Sequence, residues 1–208
     1  MNLELLSASF LMGALRVGAV GLLALAAGLA ARPGARAQSL GWGVIAGLAY
    51  SALALVAALQ DPDTEGLRAG LLQLVTVVLA AAIASLCRSS DVGESDERPA
   101  NAVARVGRIV AWLALVGVAP TLGFHARLLV YRALLDLNWV GLTALAVAAN
   151  GLLLLPAVWG IRGANIAPVR GARAVAVLVL SALIVVGGLY PGLATSAVGL
   201  LERAASVP

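Results

Sequence analysis

An apolar run from Ile109 to Leu135 is interrupted near its middle by Gly117-Val118-Ala119-Pro120-Thr121-Leu122-Gly123-Phe124-His125-Ala126-Arg127. No other feature restricts the fold as much. Proline lacks the amide that closes an intrahelical hydrogen bond, and glycine weakens a helix, so Gly117, Pro120, Thr121 and Gly123 mark a helix break, with the backbone opening between Val118 and Phe124. Opened backbone at membrane depth must be buried in protein or line a wet cavity. A broken helix with ionisable His125 and Arg127 beside the break is the arrangement expected of ion-translocating proteins, where an intramembrane charge marks a functional site.

Membrane depth follows from composition. Apolar residues make up 62% of the chain and charged ones 12%, against about a quarter charged in ordinary globular proteins. Runs of about twenty apolar residues cross a bilayer, and candidates lie near 5–31, 40–59, 67–87, 109–135, 138–161 and 172–196. The sequence therefore predicts an all-α integral membrane protein, a bundle of six transmembrane helices with the fourth discontinuous, forming one domain over residues 1–208. The start, Met1-Asn2-Leu3-Glu4, has no positive leader region, so the first run is expected to be a retained anchor.

Arginine placement decides whether 109–135 is one span or a hairpin, because cytoplasmic loops collect positive charge. With one span, Arg32, Arg36, Arg88, Arg98, Arg105, Arg108, Arg162, Arg170 and Arg173 fall on one side, and only Arg68 and Arg203 on the other. A hairpin would move the last three of the nine across. Each half of the run is also too short to cross alone. The expected topology is multi-pass in the inner (cytoplasmic) membrane, with both termini outside the cytoplasm.

Several functions are excluded by what the chain lacks. With Cys87 as its one cysteine and His125 as its one histidine, no disulfide, zinc or haem constellation is available, so no metal and no cofactor is expected. The net charge of +4 is spread over loops without a basic stripe, which argues against nucleic acid as a partner. No phosphate loop, activated nucleophile or paired intramembrane carboxylates appear, and no catalytic residue is assigned.

The segment Leu115-Val116-Gly117-Val118-Ala119-Pro120-Thr121-Leu122-Gly123-Phe124-His125-Ala126-Arg127-Leu128 resembles a motif of the antiporter-like proton-pumping subunits of respiratory complex I, most closely the NADH-quinone oxidoreductase subunit N type, related to Mrp antiporter subunits. There it reads approximately Gly-Ile-Pro-Pro-Thr-x-Gly-Phe-x-Gly-Lys-Phe and forms a broken helix. Ile45-Ala46-Gly47-Leu48-Ala49-Tyr50 is similar to the family's Ile-Ala-His-x-Gly-Tyr, and Asn150 and Gly188-Leu189-Tyr190-Pro191-Gly192 fall in compatible order. The resemblance covers about residues 10–195 and implies the second repeat plus the terminal helix of a subunit of about fourteen helices. It also implies a proton-translocating or scaffolding role in the membrane arm of an NADH:quinone oxidoreductase, among other membrane subunits, with redox chemistry elsewhere. A non-pumping structural subunit and a stand-alone or Mrp-like cation–proton antiporter component are the alternatives.

Departures from the family pattern remove groups that exchange protons. The histidine of the second span is Gly47, the lysine of the broken helix is Arg127, and the chain contains no lysine. A buried lysine can release its proton, whereas guanidinium stays protonated. Arg127 is thus either a fixed positive charge in a half-channel or a snorkelling or subunit-pairing arginine. His125 can titrate near neutral pH and is a candidate proton relay; alternatively it satisfies opened backbone. It lies two positions from Arg127, so a regular helix puts the two on different faces. Arg132 and Asp136 have the spacing of a same-helix ion pair. Arg16 needs a partner from another span or another chain, and Tyr50 and Asn150 are candidates for hydrogen bonds between helices.

Overall fold

The computed structural model describes residues 3–30, 39–61, 65–87, 102–163, 169–193 and 196. Side chains within 3–12 and 155–163 are outside that description, as are the loop arginines Arg32, Arg36, Arg88 and Arg98 and the terminal Arg203. The described residues form seven principal helices: α1 Leu3–Ala30, α2 Ser39–Gln60, α3 Gly66–Leu86, α4 Ala102–Val116, α5 Leu122–Asp136, α6 Val140–Gly163 and α7 Ala172–Leu189. The architecture is an all-α membrane bundle. Leu40–Gln60, α3 and α7 are long and apolar enough to cross a bilayer, and the apolar stretches Gly13–Ala26 and Val140–Leu154 are shorter within the described residues.

Apolar run four is the pair α4 and α5, each 15 residues, or roughly 22 Å at 1.5 Å per residue and too short to span alone. Both α3 and α7 pack against both halves, while the halves touch each other much less than either touches α3. That pattern fits two half-helices placed end to end. Because α4 and α5 also meet α2 and α6, the broken segment occupies the middle of the bundle.

The break is shorter than the sequence suggests and begins earlier. Gly117 takes φ +73°, its N–H bonds the Ala114 carbonyl at 3.1 Å, and the Val118 N–H bonds the Leu113 carbonyl at 2.9 Å. This is a Schellman ending, which needs a left-handed residue just past the helix. Asn138 ends α5 the same way, with φ 56° and bonds from Asn138 and Trp139 N–H to the Leu135 and Leu134 carbonyls. Thr121, in extended backbone, precedes α5, and its hydroxyl donates to the Val118 carbonyl at 2.6 Å. Gly123 therefore lies inside the first turn of α5, not in the opened backbone: a side chain there would collide with the Ala114 carbonyl, so glycine is what lets the half-helices overlap. The peptide Ala119–Pro120 is cis.

Small residues set the other close approaches. Ala19, Leu23 and Ala26, at helical spacing, form the buried stripe of α1 against α2 and α6. Gly187 and Gly188 bring α7 onto the break, where a side chain at Gly188 would meet Pro120 and Thr121 backbone. The sixth run was expected to reach 196, but α7 ends at Leu189; Pro191 cannot continue a regular helix because its ring clashes one turn back. Val175, Leu178, Val179, Leu183 and Val186 make an exposed apolar face on α7, as a bilayer-facing helix requires.

Candidate functional site

Arg127 stands one turn into α5, on the face that turns into the bundle, and is 1% exposed. Its guanidinium joins four helices. Nη2 donates to the backbone carbonyl of Leu115 in the last turn of α4, and Nη1 donates to Asn150 Oδ1 on α6. The Tyr50 ring of α2 covers its face, with Cζ 4.1 Å from the ring centroid. Tyr50 is held in turn: its hydroxyl donates to the Ala146 carbonyl at 2.5 Å and lies 3.4 Å from the Tyr131 hydroxyl, the two rings meeting edge to face at 6.2 Å.

The local sequence explains this convergence. The Schellman ending uses the Leu113 and Ala114 carbonyls, so the next carbonyl, Leu115, takes the guanidinium. A side chain at Gly117 would collide with Arg127 Cδ, which makes that glycine necessary for space as well as for φ. No described carboxylate pairs with Arg127; its charge rests on neutral dipoles, an aromatic face and the negative end of the α4 macrodipole. Its Nε is buried with no partner among the described residues, so the contacts that hold the charge are the two Nη bonds and the Tyr50 face alone. The arrangement can hold a permanent charge in apolar surroundings. None of these described partners is a base able to take a proton from a guanidinium.

His125 diverges from Arg127, as the two-residue offset requires. It is half-buried beside α7, and its Nε2–H donates to the Gly188 carbonyl at 2.7 Å. His125 therefore joins the break to α7, while Arg127 joins it to α2 and α6.

The remaining charged candidates lie away from this centre. Arg16 packs its guanidinium over Trp139, 4.0 Å from the ring centroid, at the corner between α5 and α6. Its partner thus comes from another element of this chain. Arg132 is exposed and ion-pairs with Glu65 at 3.8 Å, ahead of α3, while Asp136 is exposed at the end of α5. The spacing of Arg132 and Asp136 does not produce the pair; Arg132 turns instead across to the α2–α3 connection. Sequence reasoning missed Leu115, Gly188, Trp139 and Glu65. Two of these act through backbone carbonyls, which every residue carries, so no sequence signal marks them.

No protein-family model and no curated protein sequence matches this chain. Among solved structures, one chain of the Mrp complex from Dietzia sp. superposes with a TM-score of 0.66 at 17% identity, over 88% of this chain and 45% of that one. The protein thus spans less than half the length of its structural neighbour, and what the two share is the fold: a helical membrane bundle of the kind found in the Mrp complex.

Proposed function

We propose that this chain is a membrane subunit of a complex I-type NADH:quinone oxidoreductase, assembled with other membrane subunits, in which the broken helix holds a fixed charge and serves the membrane scaffold rather than loading and releasing protons. The observation that carries this reading is the guanidinium of Arg127 bonded at once to Leu115 and Asn150 across the break. A lysine at that place could lose its proton as its surroundings changed; an arginine so bonded keeps both its charge and its position. The likeness to a chain of the Mrp complex favours a second reading, a component of a cation–proton antiporter assembly with the same fixed charge.

The test is to purify the native membrane assembly through a tag on this chain and identify its subunits. Quinone-reducing complex I subunits support the first reading, and an Mrp-like set supports the second. Recovery of a stable monomer that transports ions alone in liposomes contradicts both.

A further inference from the structure

Helices α6 and α7 follow each other in the chain, yet among the described residues they do not touch; each packs instead on α4 and α5. The broken helix is therefore the floor of a cleft between them. On α4, Trp112 and Val116 belong to the core that holds Ala149 and Leu153 of α6, while Val103 and Val110 pack in the core that holds Val177 and Ile184 of α7. Val106, Ile109 and Leu113, at helical spacing, belong to neither. At about 100° per residue, their line falls between those two faces of α4. It faces the bilayer: Val106 is 49% exposed, and Ile109 and Leu113 are half-buried.

Charge marks one mouth of this cleft. Helices α4 and α7 begin at the same end of the bundle, and a side chain at Gly107 would collide with Val177, so Arg173, one turn before Val177, stands level with the first turn of α4. Val169 is buried in the core that contains Val103 and Ala104, which holds Arg170 beside that turn. Arg105, Arg170 and Arg173 are all exposed, and Arg108, one turn deeper than Arg105, has a buried Nε with no partner among the described residues. The described carboxylates, Asp61, Glu65 and Asp136, lie at the opposite end, where Glu65 already pairs with Arg132.

We infer that the cleft binds an anionic phospholipid, with its phosphate among Arg105, Arg170 and Arg173 and one acyl chain along Val106, Ile109 and Leu113. Guanidinium forks match phosphate oxygens, and basic clusters between membrane helices take anionic headgroups. The apolar line rises about 10 Å from Val106 to Leu113, within the roughly 15 Å of hydrocarbon that one leaflet supplies. A neighbouring helix fits this floor less well. Close helix contacts in the bundle are made at glycine, as at Gly107, Gly123 and Gly188, whereas the floor presents branched side chains. A flexible acyl chain follows such a surface. The opposite end, with Asp136 exposed, repels the same headgroup, so the lipid belongs to the leaflet at the arginine end.

The experiment is carbene labelling of the purified native assembly in vesicles that carry either phosphatidylglycerol or phosphatidylcholine with a diazirine on the acyl chain, the adducts being mapped by mass spectrometry. Phosphatidylglycerol is expected to label Val106, Ile109 and Leu113 severalfold more than phosphatidylcholine does. No such preference is expected at Leu22 and Leu25, which are exposed on α1 in the same half of the bilayer. Arg105→Gln combined with Arg173→Gln should lower the ratio in the cleft to that of α1. An equal ratio at both places in the wild type overturns the proposal even where the double variant fails to assemble. A cleft that neither lipid labels also overturns it, because a protein neighbour would then fill the space. So does a preference that survives in the assembled double variant, since the arginines would then not hold the headgroup.

Discussion

Arg127 Nη2 donates to the backbone carbonyl of Leu115, so the second half of the broken helix caps the first. A Schellman ending satisfies two of the last carbonyls of a helix and leaves others open, and at membrane depth no solvent completes the set. The guanidinium completes it from twelve residues downstream and reaches Asn150 with its other arm. Charge and backbone break are therefore one construction.

Arg127→Ala strands the Leu115 carbonyl and Asn150 Oδ1, at about 1–3 kcal/mol for each unsatisfied buried acceptor. Thermal unfolding of the purified assembly should shift down clearly, with less of this chain incorporated. Arg127→Lys keeps the charge but loses the planar fork, and one ammonium does not reproduce both bonds together with the stacking on Tyr50. Its midpoint should fall between wild type and Arg127→Ala. A lysine variant as stable as wild type would show that fork geometry is unimportant here.

Gly117→Ala should be more damaging than its size suggests. The left-handed conformation costs a non-glycine residue about 1–2 kcal/mol, and the new methyl also strikes Arg127 Cδ and displaces the guanidinium. Gly151→Ala is the control: it adjoins Asn150 in α6 but has nothing within 4 Å of a Cβ, so it should be neutral or gain up to about 1 kcal/mol of helix propensity. Thermal midpoints of the two variants, measured in the same detergent, check the contrast.

The break was legible in the sequence because its causes are local: Gly117 and Pro120 act on their own backbone, and arginine bias separates one broken span from a hairpin. What the break is tied to was not legible. Tyr50 and Asn150 stand out only as polar residues in apolar helices, and nothing in the chain says that both meet Arg127. Arg16 finds Trp139 across more than a hundred residues, and Arg132 prefers Glu65 to the acid one turn along its own helix, because packing between helices overrides helical spacing.

Topology can be read by labelling with little background. Cys87 is buried, its thiol points at the Ala104 carbonyl, and burial pushes its pKa up more than nearby Arg108 pulls it down, so the reactive thiolate is scarce at neutral pH. Maleimide should leave it unmodified in native membranes, with reactivity rising only as pH climbs beyond the ordinary thiol range. Against that silence, Asp136→Cys should react from outside the cell and Arg170→Cys should not, both positions being exposed on the protein. The reverse pattern would invert the arginine-based topology.

His125→Ala separates a structural histidine from a proton relay. Losing the imidazole frees the Gly188 carbonyl and loosens α7 against the break, so the variant should be less stable; His125→Gln, which keeps an N–H donor, should recover part of the loss. If the site is a scaffold, protons moved per electron pair in vesicles, normalised to assembled complex, should be unchanged in His125→Ala, His125→Gln and Arg127→Lys alike. A relay predicts otherwise: glutamine cannot carry a proton through a titration cycle, so stoichiometry would fall in both histidine variants even where His125→Gln restores stability. A drop confined to Arg127→Lys at full assembly would instead mean that the guanidinium itself, held between Leu115 and Asn150, serves transport, and the fixed-charge reading would be wrong.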